Sequence, residues 1–314
     1  MTGWLLALAQ TVLFALGAPL LTGWIRWVKC RLQNRRGPSP WQPYRDLLKL
    51  FRKEAVVAES ASPIFRIAPY LVFSVTVLTG AVIPLFAVGL PTAAIADVIV
   101  LIGFFALARF FLALAGMDVG TAFGGMGSSR EMTISSLAEP AMLLAVFTLA
   151  MTAASTNLST MIGDLAAAPL QLHPSFIFAG LAMVLVAMAE TGRIPIDNPA
   201  THLELTMVHE AMILEYSGRH LALMEWAAML KLLVYGVLLA NLFVPWGVGL
   251  SLAPAPLAGG LAAILLKLGT LGILLATAET GLAKMRLFRV PQFLGLAFIL
   301  SLIGLLSHVI LEVR

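Results

Sequence analysis

Cysteine is almost absent: Cys30 is the only one in 314 residues. One thiol forms no intrachain disulfide and no thiolate-held metal cluster, so any such centre that this protein works with must sit in another chain. Charge is scarce as well. Only 11% of residues are Asp, Glu, Lys or Arg and 60% are hydrophobic, whereas a soluble domain carries about 25% charge. That balance excludes a soluble globular fold and predicts an all-α integral membrane protein. The net charge of +4 would raise nucleic acid as a partner, but the placement of the cations argues for membrane topology instead. Other signatures are missing too. No Gly-Lys-Ser/Thr follows the glycine-rich stretch 116–140, so it is not a phosphate-binding loop. No internal repeat and no pair of matching broken helices is visible, which disfavours an independent ion transporter. No basic segment precedes the first apolar run, and that run is too long for a cleaved leader, so it is read as a retained helix.

What the chain does have is apolar runs of roughly 20 residues, the length that spans a bilayer. They number about eight, at 4–27, 67–88, 95–115, 134–155, 175–189, 221–246, 257–278 and 291–311. Lys and Arg fall almost entirely in the odd-numbered connections, and none in the even ones near Leu90, Asp164 and Ser251. The positive-inside rule therefore predicts both termini outside and large cytoplasmic loops at about 29–66, 116–133, 190–220 and 280–290. The whole of 1–314 reads as a single membrane domain.

Two of these loops have a readable character. In the first, Gly37-Pro38 and Pro40 break the chain, and from Tyr44 the pattern turns helical. Leu47, Leu48, Phe51 and Val56 give an apolar side between Arg45, Lys49, Arg52 and Lys53, a basic amphipathic helix at the membrane surface. It suits lipid head-groups, or a peripheral subunit docked with help from Arg35 and Arg36. The third loop, with Gly120, Gly124, Gly125 and Gly127, reads as too flexible for a helix. Ser128 or Ser129 would cap the following helix, with Glu131 in its first turn. Capping explains Glu131 but not Glu139, about 10 Å further along.

Arg109, Glu139, Glu225, Lys231, Lys267 and Glu279 fall within or at the ends of spanning runs, and Arg109 interrupts the third. A central charge costs on the order of 2.5–3.5 kcal/mol to insert, so a set of both signs implies a shared polar interior. Two readings stand: ion pairs that only fix helix packing, or a proton or ion path in which carboxylates exchange protons. Tyr235, one turn after Lys231, is a candidate hydrogen-bond partner for it.

The densest charge lies between the fifth and sixth runs, at 190–219: Glu190, Arg193, Asp197, Glu204, Glu210, Glu215 and Arg219. Pro195 and Pro199 stop the fifth helix. Asp197 or Asn198 would cap a helix from Pro199 to Tyr216 that ends at Gly218. On it Glu204 and Glu215 share one stripe facing a polar cavity, and His202 and His209 share another, read by default as hydrogen-bonded interface residues. His209-Glu210 opens like a zinc-protease motif, but Ile213 stands where the second histidine belongs.

Three loops in order carry a family likeness. They are Arg36-Gly37-Pro38 through Asp46 to Lys53-Glu54, then Arg130 with Glu139, then Glu190-Thr191, Arg193, Pro195, Asp197, Glu204-Leu205 and Glu215-Tyr216. The chain resembles the subunit 1 family of respiratory complex I. The runs Arg35-Arg36-Gly37-Pro38, Ala108-Arg109-Phe110-Phe111, Gly127-Ser128-Ser129-Arg130-Glu131 and Glu215-Tyr216-Ser217-Gly218 are similar to the membrane subunit of formate hydrogenlyase and hydrogenase-4 complexes. Ala200, His202 and Gly192 depart from the quinone-linked branch, which places the chain on the hydrogenase side.

The resemblance implies a non-catalytic anchor and ion-path subunit in the cytoplasmic (inner) membrane of a bacterium or archaeon. It implies a nickel–iron hydrogenase-like large subunit, an iron–sulfur small subunit, a ferredoxin-like subunit and antiporter-like membrane subunits as partners, which hold the metal centres. Glu139, Glu204 and Glu215 are then proton-path acids, and Glu190, Glu225, Lys231, Lys267 and Arg109 are read as joining that path. Arg35, Arg36, Asp46, Arg130, Arg193 and Asp197 belong to the junction with the peripheral arm. The alternatives are the quinone-site subunit of an NADH:quinone oxidoreductase and an independent transporter.

Overall fold

A computed structural model describes residues 2–167, 173–197 and 207–312. It is helical throughout, with no β-strand among the described residues beyond two isolated bridges. The order is α1 (Thr2–Leu32), α2 (Gln42–Phe51), α3 (Pro63–Val82), α4 (Val98–Asp118), α5 (Ala122–Thr152), α6 (Leu158–Ala167), α7 (Pro174–Glu190), α8 (His209–Ile213), α9 (Gly218–Phe243), α10 (Pro254–Gly281) and α11 (Val290–Ser307). A long helix stands at each of the eight apolar runs. Seven of them are long and apolar enough to cross a membrane; α7, at 17 residues, is shorter. The protein is a multi-pass membrane protein.

The bundle is built around α9. Leu230, Val234, Tyr235, Val237 and Leu242 on it are at most 1% exposed. Helices α1, α2, α3 and α7 pack against α9, α4 packs on α3, and α11 lies along α5 and α7. The outer helices keep large apolar side chains exposed, such as Leu265, Leu266 and Leu274 on α10. That is the pattern of a face solvated by lipid, where no aqueous penalty drives such side chains inward. Helix starts are fixed locally. The side chain of Ser62 accepts from the Ile64 amide at 3.1 Å, and that of Asp97 from the Ile99 amide at 2.8 Å.

Several sequence expectations are corrected here. The glycine-rich third loop is helical: α5 begins at Ala122, capped by Thr121. Ser128 therefore caps nothing, and Glu131 lies beyond the first turns. Two of the glycines, Gly124 and Gly127, serve close approach instead of flexibility. A Cβ on Gly124 would meet the Gly116 carbonyl oxygen at 2.0 Å, and one on Gly127 would sit 2.9 Å from the Val208 carbonyl oxygen and from the Ala211 Cβ. At 31 residues α5 is about 46 Å long, and Glu139 stands about 26 Å from its start, well beyond the 10 Å expected. Arg109 does not interrupt α4, which runs through it unbroken because its charge is neutralised inside the bundle. The helix expected from Pro199 to Tyr216 is not continuous in its described part. α8 ends at Ile213, and Gly218 opens α9. Residues 198–206, including Ala200, His202 and Glu204, lie outside the described residues. On α2, Leu47 is buried, while Leu48 and Phe51 stay exposed; Val56, beyond the end of α2, is exposed too.

Candidate functional site

Helix α7 stops at Glu190, deep in the bundle, and the vacated space is filled by side chains of the helices around it. Arg109 comes from the middle of α4, Lys231 from the middle of α9, and Glu131 and Glu139 from α5, a little over two turns apart. The Arg109 guanidinium binds Glu139 through Nη1 and Glu190 through Nη2, with its Nε 3.6 Å from a Glu131 carboxylate oxygen. Lys231 Nζ reaches the same Glu190 oxygen at 2.8 Å. Arg109 is 4% exposed and Glu190 8%. A planar fork with several donors suits this task, since one arginine can serve three carboxylates where a lysine is a point charge.

Two small cavities adjoin the cluster, each of about 40 Å³. One is bounded by Glu131, Glu190, Asp197, His209 and Lys231. The other is bounded by Thr76, Arg109, Glu131, His209 and Lys231. Each is roomy enough for water, which needs at least about 10–15 Å³ and polar partners.

The stretch after α7 ties further ion pairs to the cluster. Arg193 reaches Glu279 at 3.2 Å, which also takes Lys29 at 2.8 Å, joining α1 and α10. Asp197 takes Lys284 at 2.9 Å and the Val208 amide at 3.1 Å. Arg130 donates to the Met207 carbonyl at 2.8 Å. Three of the residues expected at the junction with a peripheral arm, Arg130, Arg193 and Asp197, thus hold the chain's own connection together. Arg35 and Arg36 are exposed, and Asp46 accepts from Gln42 at 2.9 Å.

Of the expected path residues, the structure brings together Arg109, Glu139, Glu190 and Lys231. Glu225 is half-buried on α9 and Glu215 is exposed. Lys267 pairs weakly with Asn241 at 3.4 Å, about 15 Å further along α9 than Lys231. The expected Lys231–Tyr235 bond is absent, because Lys231 is turned to Glu190 and the Tyr235 hydroxyl lies 3.5 Å from the Met142 sulfur. Glu131, expected to serve a helix cap, belongs to the cluster instead. Its spacing of eight from Glu139 is the signal that both can face one cation. Among the described residues no three His, Cys, Asp or Glu side chains could hold a metal ion; the cluster's carboxylates face Arg109 or Lys231.

The run Glu215-Tyr216-Ser217-Gly218 clamps the first loop. The Tyr216 ring stacks on Phe65 at 4.0 Å and its hydroxyl donates to the Phe65 carbonyl at 2.9 Å. Burial, and then Asp118, hold that phenol above its usual range, so it remains a neutral donor. Ser217 exchanges hydrogen bonds with the Val56 backbone at 2.8 and 2.9 Å.

The family model described as NADH dehydrogenase matches residues 5–310. The chain belongs to the NADH dehydrogenase family. Within it, this member is 37% identical to Hydrogenase-4 component C of Escherichia coli (strain K12) over 295 residues, covering 94% of this chain and 92% of the relative. It is 34% identical to Formate hydrogenlyase subunit 4 of the same organism, covering 94% and 96%. A subunit of the NADH-quinone oxidoreductase of Rickettsia rickettsii (strain Iowa) is 30% identical over 210 residues, 63% of this chain and 61% of that one. The fold matches a chain in the membrane-bound sulfane sulfur reductase, an archaeal respiratory membrane complex, with a TM-score of 0.82 over 98% of this chain and 99% of the other at 19% identity. This NADH dehydrogenase-family chain therefore holds its buried charges in a fold shared with that chain.

Proposed function

We propose that the chain is the membrane-anchor and ion-path subunit of a formate hydrogenlyase or hydrogenase-4-like complex. It seats iron–sulfur and nickel–iron hydrogenase-like subunits on its cytoplasmic side, adjoins antiporter-like membrane subunits, and couples electron transfer to proton movement. The setting is a bacterial or archaeal cytoplasmic membrane with the odd loops inside. The donor set of this chain, with one free cysteine, does not fit a metal cluster, so the redox centres belong to the partners. The two long matches to hydrogenase membrane subunits support the choice of complex.

The observation that carries the ion path is the charge balance of the cluster. Three carboxylates, Glu131, Glu139 and Glu190, face two cations, Arg109 and Lys231. Fully ionised, the group would hold one excess negative charge, and an uncompensated buried charge is costly. One proton held within the cluster removes that cost. It can leave when a neighbouring charge arrives, which is the working condition of a proton relay. Arg109 and Lys231 already occupy the carboxylates, so the cluster suits protons better than sodium.

The test places the intact complex in sealed vesicles with a reduced viologen dye as electron donor. Glu139→Gln and Glu190→Gln are expected to keep dye-driven electron transfer while proton translocation falls at least tenfold. Wild-type translocation in both variants sinks the ion-path reading.

A further inference from the structure

One buried titratable group adjoins the charge cluster without belonging to any of its ion pairs. His209 lies at the start of α8. The residue is half-buried, yet its Nε2 is sealed from solvent and has no hydrogen-bond partner among the described residues. A buried polar nitrogen without a partner carries a desolvation cost. The adjoining cavities are large enough for water to supply that partner.

His209 lines both 40 Å³ cavities. It shares that position with Glu131, Lys231 and Ala228, the only other residues common to the two linings. Glu190 and Asp197 face it across one cavity, Arg109 and Thr76 across the other. Alanine carries no proton, Lys231 is held by Glu190 and Glu131 faces Arg109. Among the described residues the imidazole is thus the one titratable wall outside the ion pairs. It has two nitrogens on opposite sides of the ring, so it can take a proton at one and release it at the other. Its cation also supplies the one positive charge that three carboxylates and two cations lack.

Resting on the proton-path reading, we propose that His209 carries protons between two water-filled cavities. The imidazole accepts a proton from water on the Asp197 side, becomes imidazolium, and gives up the proton on its other nitrogen to water beside Arg109 and Glu131. One proton enters and one leaves. The ring returns to its first tautomer before the next passage. Transport in the opposite sense uses the same steps reversed.

The test uses the whole complex in vesicles, with His209→Gln, His209→Ala and Glu139→Gln compared. His209→Gln keeps a hydrogen-bonding side chain of similar reach but carries no proton at neutral pH. It is expected to slow proton translocation at least tenfold while dye-driven electron transfer persists. In His209→Ala, added imidazole and 4-methylimidazole are expected to restore translocation, each with a pH profile that follows the added base. A merely structural histidine would not shift the profile in this way. Wild-type translocation in His209→Gln, with Glu139→Gln impaired, overturns the role of His209 and leaves the path standing. Wild-type rates in both overturn the path and the inference together. If His209→Ala does not assemble, the glutamine variant decides alone.

Discussion

The Arg109 cluster and the loop that follows α1 are both rich in charge, but they use it in opposite ways. Around Arg109 each charge meets its opposite within the chain, with Arg109, Glu131 and Glu190 buried and Glu139 and Lys231 half-buried. After α1, Arg35, Arg36, Arg45, Lys49, Arg52 and Lys53 are all exposed, and Arg31 rests over the Trp27 ring at 5.0 Å. In a bilayer interior an unpaired charge is costly, so the first set must be internally balanced. At a membrane surface water screens the second set, leaving it available to phosphate head-groups or to an acidic partner. The contrast separates residues whose loss damages this chain from residues whose loss damages its assembly.

The largest effect is expected from Arg109→Leu, which strands three carboxylates with Lys231 alone. Breaking a buried pair by removing one partner costs about 3–5 kcal/mol, so folded yield and thermal unfolding in detergent should both collapse. A variant as stable as the parent would show that the cluster is hydrated enough to need no arginine. Glu279→Gln comes next, because it weakens the junction of Lys29 on α1 with Arg193. About 1–3 kcal/mol is expected, read as a lower midpoint in the same melt. Gly127→Ala is expected to cost about 1–3 kcal/mol by pushing α8 away from α5; an unchanged melt would mean that α8 yields freely. Arg36→Ala sits at the small end for stability, within about 0.5 kcal/mol. It should nevertheless release peripheral subunits when the complex is captured through a tag on this chain, and full retention would return the first loop to lipid.

The positions of the long helices were legible in the sequence because a bilayer imposes a length and a polarity on every span. Val98–Asp118 and Gly218–Phe243 lie within a few residues of the apolar runs. The third loop was not legible. Gly120, Gly124, Gly125 and Gly127 lower helix propensity, but α5 forms through the last three because α4 and α8 press against it closely enough to admit no side chain at Gly124 or Gly127. Tertiary contact outweighed local preference there. In the site, Arg109, Glu139, Glu190 and Lys231 were recognisable singly as expensive charges. Their pairing was not, because they come from four helices as far apart in sequence as Arg109 and Lys231.

By itself, the sequence determined that this protein lives in a membrane, where its helices run, and which charges are too costly to be incidental. These are one-dimensional quantities, set by apolar length and by the transfer cost of each side chain. Only the tertiary structure decided that Glu131 belongs with Glu139 and Glu190, that Lys267 does not, and that His209 stands between two cavities. Those assignments depend on where α7 ends within the bundle and on which helix faces meet there, and no single segment of the chain encodes either.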